Sequence, residues 1–171
     1  MKLNPSPLGE APEKPGSLIL ERFVPYRLSV LSNTVSRAIA RIYAQRFDLT
    51  IPEWRVMAQL GRHRRLTASD IIGLTAMDKV RVSRAVARLV GSRRVEARSD
   101  TADRRRQVLM LTTAGRRIYR EIVPLALERE TRLLEALDPK ERQVLDRMLA
   151  KLQGQASALA PAADGGAGVP D

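Results

Sequence analysis

The chain has no cysteine and a single histidine, His63. The first absence excludes a disulfide scaffold, a cysteine metal cluster, a thiol nucleophile and a cysteine-based peroxide sensor. The second excludes a multi-histidine metal site within one chain. No glycine-rich nucleotide loop and no nucleophile–base pairing stands out, so neither a cofactor nor an enzymatic activity is expected. Aromatic residues make up only 4% of the chain against 44% hydrophobic residues. The core must therefore be built from Leu, Val, Ile and Ala, as in a helical packing. No apolar run approaches the roughly 20 residues that span a bilayer. The N-terminus also lacks a basic segment followed by an apolar core. A cytoplasmic protein without a membrane partner is the simplest reading.

Acidic residues are also in short supply. Lys and Arg number 30 against 19 Asp and Glu, a net charge of +11, and such an excess points first to nucleic acid as partner. Nearly all of it is arginine, which suits bidentate contacts with phosphate and guanine. A GC-rich coding sequence would also inflate arginine, so placement has to decide. Between Lys79 and Arg106 ten basic residues face only Glu96, Asp100 and Asp103, an excess of seven. Most of the net charge is thus concentrated in one segment.

The two ends read as irregular. Residues 1–16 carry four prolines and form a flexible arm, and residues 154–171, rich in Ala, Gly and Pro, form a disordered tail. From Ser17 to Phe47, apolar residues from Leu20 to Tyr43 recur at helical spacing, with Pro25 marking a kink or a late start. Pro52 opens a second helix that turns Trp54, Val56, Met57 and Leu60 inward. Thr67-Ala-Ser-Asp70 starts a short third helix holding Ile71, Ile72 and Leu74. Asp78 caps a fourth, from Lys79 to about Gly91. On that helix Val82, Val86, Leu89 and Val90 form an apolar side, while Arg81, Arg84 and Arg88 share another. Two short strands near 93–98 and 106–111 flank an arginine-rich turn. Thr112 caps a fifth helix, interrupted by Pro124 and reaching about Leu137. Asp138, Pro139 and Glu141 start a sixth, which presents Val144, Leu145, Met148, Leu149 and Leu152.

The expected fold is mainly α with a small β-hairpin wing: a winged helix-turn-helix over 48–112, framed by long terminal helices at 17–47 and 113–153. A helix followed by a basic hairpin can place the helix in a DNA major groove and the hairpin tip in a minor groove. The apolar stripes of the framing helices need a partner, and a second copy of the chain is the natural one, so these segments are the expected dimerisation region.

The order of elements, the helix MDKVRVSRAVARL (Met77–Leu89), the turn DRRR (Asp103–Arg106) and LTTAG (Leu111–Gly115) resemble the MarR family of bacterial transcription regulators. Asp103 and Arg105 fill that family's Asp-x-Arg, and Leu111, Thr112 and Gly115 fill its Leu-Thr-x-x-Gly. The resemblance implies a homodimeric, sequence-specific regulator of a palindromic operator in double-stranded DNA, more often repressor than activator. It makes 79–91 the recognition helix, with Arg84 reaching a base edge, Arg81 and Ser83 beside it, and Lys79 and Arg88 on the same helix. In the wing, Asp103 braces Arg105, and Arg104 is the choice for the minor groove, with Arg105 and Arg106 as alternatives. The resemblance also implies a cavity for a small aromatic or phenolic effector, with Tyr26, Trp54 and His63 as candidates. Two departures stand out: Arg93 and Arg94 replace a Gly and a large apolar residue, leaving the helix C-cap to Gly91, and Ala97 replaces an Arg. The rival function is a non-specific architectural, nucleoid-type DNA-binding protein.

Overall fold

The computed structural model describes residues 17–99 and 106–159. It contains helices α1 (Val24–Phe47), α2 (Ile51–His63), α3 (Ala68–Thr75) and α4 (Lys79–Gly91). The strands β1 (Val95–Ser99) and β2 (Gln107–Leu111) follow, then α5 (Thr113–Leu134) and α6 (Pro139–Leu159). The chain divides into two compact units that part within α5, between Ile122 and Val123.

The first unit holds the core. Val56, Met57 and Leu60 of α2, Ile71 of α3, Val82, Ala85 and Leu89 of α4, Val95, Leu109 and Leu111 of the hairpin, and Ile118 and Ile122 of α5 are all buried. Apolar residues at helical spacing on α2 and α4 meet those at alternate positions on the strands, and with α3 and α5 these four helices and the hairpin share one interior. The strands pair antiparallel, with Val95 opposite Leu111 and Ser99 opposite Gln107. Leu66 adds a bridge to Leu109 on the other edge of β2. The mainly helical fold with a two-stranded wing is as the sequence indicates.

Local chemistry explains most element boundaries. The Asp70 carboxylate accepts hydrogen bonds from the Thr67 backbone amide and hydroxyl, both at 2.8 Å, closing the capping box of α3. Those bonds, with Arg106 nearby, hold the Asp70 carboxyl below its ordinary pKa. Asp78 Oδ1 accepts from the Arg81 amide at 2.7 Å and caps α4. Asp138 accepts from the Glu141 amide while Glu141 returns a bond to the Asp138 amide, starting α6. Gly115 is forced by packing: a Cβ there would fall on the Arg94 carbonyl.

Several boundaries differ from the sequence reading. α1 starts late at Val24, with Pro25 in its first turn, where a missing amide hydrogen costs no helical bond. The preceding residues make a turn in which the Arg22 and Phe23 amides bond the Ile19 carbonyl. α5 ends at Leu134 and Pro124 lies inside it without ending it. α6 runs past the boundary expected at 153 and continues through Gly154 to Leu159, because Gln153, Gln155, Ala156 and Ala158 tolerate a helix well. On α4, Val90 is exposed and the small Ala85 takes the buried place assigned to it. The helix packs through the centre of its apolar arc, and Val90 lies at the edge of that arc. Leu74 of α3 is also exposed.

Candidate nucleic-acid interface

α4 is held at both ends. At its start Asp78 caps the helix and also pairs with Arg81 at 3.2 Å. At its end the Arg93 amide bonds the Val90 carbonyl and the Arg94 amide bonds the Leu89 carbonyl, both at 2.9 Å. This is the paired bonding of a Schellman stop, whose following residue adopts a left-handed conformation and is usually glycine. Here that residue is Arg93, with φ 56. The expected handover to Gly91 does not occur, since Gly91 is the last helical residue. Thr112 closes the junction: its hydroxyl donates to the Arg93 carbonyl at 2.8 Å and accepts from the Gly115 amide at 3.1 Å. The LTTAG segment thus ties the end of α4 to the start of α5.

The candidate residues on α4 divide into two groups. Lys79, Ser83 and Arg84 are exposed, and Arg84 has no ion pair among the described residues. Arg88 is different. Its Nε lies 2.8 Å from Glu53 Oε1, and its Nη2 lies 3.9 Å from Asp48 Oδ2. Glu53 is 2% exposed, and its other oxygen accepts the Thr50 amide at 2.7 Å and hydroxyl at 2.9 Å. A buried carboxylate needs such partners, so Arg88 braces α4 against the start of α2. Glu53 is absent from the sequence-based candidates although its signal is present: Thr50-x-x-Glu53 is a capping box.

In the wing, Arg106 is exposed just before β2, and Asp103, Arg104 and Arg105 lie outside the described residues. Arg98 of β1 pairs with Glu96 at 3.0 Å. A cleft of about 320 Å³ alongside the hairpin is lined by Arg65, Arg98, Arg106 and Asp70 over Val108 and Met110. Basic residues are thus exposed on α4 and on the hairpin.

The three effector candidates do not converge. Trp54 is half-buried between Tyr43 and Tyr119, with ring centroids 5.5 and 6.0 Å away. Gly61 makes this possible, because a Cβ there would fall on the Tyr119 ring. Burial pushes the Tyr43 hydroxyl up to about pKa 12. Tyr26 is exposed on α1, 17 residues before Tyr43 and thus about 25 Å along the helix. His63 is exposed at the last position of α2. Among the described residues no acidic or histidine cluster could hold a metal ion, and no helix is long and apolar enough to cross a membrane.

A capped basic helix packed on a second helix and followed by a two-stranded hairpin defines a winged helix-turn-helix protein. Residues 47–106 match the MarR family model. The fold is similar to that of a MarR/EmrR family transcriptional regulator from Acinetobacter sp. ADP1. That likeness has 26% identity and a TM-score of 0.76, covering 82% of this chain and 99% of the other. It is also similar to BpsR of Bordetella bronchiseptica, whose DNA binding is regulated by 6-hydroxynicotinic acid (24% identity, TM-score 0.71, 81% and 98% covered). A third likeness is a cysteine-to-serine mutant of E. coli MarR complexed with operator DNA (22% identity, TM-score 0.68, 80% and 99% covered). Curated protein sequences give no match. The MarR-family match thus lies on residues 47–106, and the chain has the winged-helix fold of MarR-family transcriptional regulators.

Proposed function

We propose that the protein is a homodimeric, sequence-specific repressor that places α4 of each protomer in the major groove of a palindromic operator. The observation that carries this reading is the exposed Arg84 on α4, a helix fixed at both ends by caps and followed by an arginine-bearing hairpin. Positioned arginines read guanine, whereas a merely basic surface holds phosphate. Lys79, Arg81 and Ser83 flank Arg84, and Arg88 contributes by orienting the helix. Asp103, Arg104, Arg105 and Arg106 form the wing contact, with Arg104 directed to the minor groove. Relatives of this fold include one complexed with operator DNA.

Dimerisation has its own support. Leu145, Met148, Leu149 and Leu152 of α6, and Phe23, Tyr26, Leu28 and Leu31 at the start of α1, are exposed within one chain. Apolar stripes of that kind mark a subunit interface. A twofold dimer presents its recognition helices about one DNA turn apart, roughly 34 Å. A small aromatic effector that favours another spacing would release DNA through its different affinity for the two states. The regulation of a similar protein by 6-hydroxynicotinic acid supports that step.

The test is selection of bound sequences from random duplex DNA, followed by competition of the selected site against scrambled DNA. A palindrome and a specificity ratio of about 10³ or more are expected. A ratio near one would establish the architectural alternative instead.

A further inference from the structure

Side chains on α4 turn about 100° per residue, and the buried residues Val82, Ala85 and Leu89, with half-buried Val86, define its inner side. The opposite pole then carries Val80, Arg84, Ala87 and Gly91, all exposed. Arg81 and Arg88 fall on one flank, and each is engaged with a carboxylate. The part of the helix that reaches farthest outward is therefore an arginine bracketed by two apolar side chains, one about a turn to either side.

Val80 is 56% exposed. A β-branched residue gains nothing there from helix propensity, and it packs no core. The apolar feature that a major groove offers is the 5-methyl group of thymine, which valine methyls match in size and chemistry. Near the start of a recognition helix, where base edges are contacted, such a side chain has a partner that solvent does not provide. Ala87 has no reach beyond its Cβ, so it permits close approach on the other side of Arg84.

We propose that Val80 is a specificity-determining residue that packs on the methyl group of a thymine next to the base pair contacted by Arg84. This rests on the reading of α4 as a recognition helix. The site selected from random DNA supplies the probe, with each thymine of a half-site replaced in turn by deoxyuridine. That change keeps the pairing and removes only the methyl group. The wild-type protein is expected to lose about three- to fivefold in affinity at one thymine and its twofold mate, the value of one buried methyl group. Val80→Ala should bind the thymine site with that loss already incurred and be indifferent to deoxyuridine there. Its melting temperature should hold, because the residue is exposed and Ala favours helix. If the wild-type protein tolerates deoxyuridine at every position, or if Val80→Ala keeps the same sensitivity, the assignment is overturned while sequence-specific binding stands. Equal affinity for selected and random duplex would overturn both.

Discussion

Arg93 has the least comfortable backbone in the interface. Its left-handed φ of 56 brings Cβ close to a carbonyl, which only glycine avoids. The conformation persists because the two amide bonds of the helix stop and the Thr112 hydroxyl all depend on it. Arg93→Gly is expected to stabilise the protein by roughly 0.5–1 kcal/mol, after allowing for the greater freedom of glycine in the unfolded chain. Urea denaturation measures this; an unchanged or lower midpoint would show that the arginine side chain makes compensating contacts. The position was legible as unusual in the sequence, because Arg93 and Arg94 stand where the resembled family has a Gly and a large apolar residue. What could not be read was the backbone angle. Gly91 looked like the natural stop, but the bonds are made by the amides of Arg93 and Arg94, two and three positions later.

Among elements, the relation of α2 to α4 decides how the basic helix is presented. Glu53 and Arg88 stand 35 positions apart in sequence and 2.8 Å apart in space. Arg88→Ala leaves a buried carboxylate short of a partner, and Glu53→Gln removes its charge and the acceptor that faces Arg88. Since a Gln oxygen can still accept from Thr50, what either change removes is the pairing with Arg88, and each is expected to cost about 1–3 kcal/mol, with the partial exposure of Arg88 keeping the loss toward the lower end. If the two act as one strut, the double variant should lose clearly less than the sum. Additive losses in denaturant melts would return Arg88 to the set of independent surface arginines. Caps such as Thr67–Asp70, Asp78 and Asp138–Glu141 were legible because they are written within four residues. The strut was not, because helical spacing places Arg88 with Arg81 and Arg84 and is silent on what lies across the next helix. The same limit explains Val90: periodicity finds an apolar arc but not which part of it the neighbours cover.

For the whole molecule, the contrast is between a core filled by residues up to Ile122 and a second unit in which no α6 side chain is buried. Composition pointed to this: aliphatic residues are ample, yet among the described residues the framing helices carry exposed apolar stripes. Replacing both Leu145 and Leu149 with Glu is expected to give a monomer at micromolar concentration by sedimentation. Affinity for a palindromic site should fall at least a hundredfold, since the second half-site no longer adds to the first. A dimer that survives both changes would place the interface elsewhere.

The stack of Tyr43, Trp54 and Tyr119 joins α1, α2 and α5 around the one tryptophan of the chain. All intrinsic indole emission therefore comes from a single, half-buried position next to Glu53 in sequence. The protein carries its own optical gauge: a shift in wavelength or quenching can be assigned to that junction without labelling. Titrating DNA or a small aromatic acid while watching this signal would show whether the strut between α2 and α4 moves when either one binds.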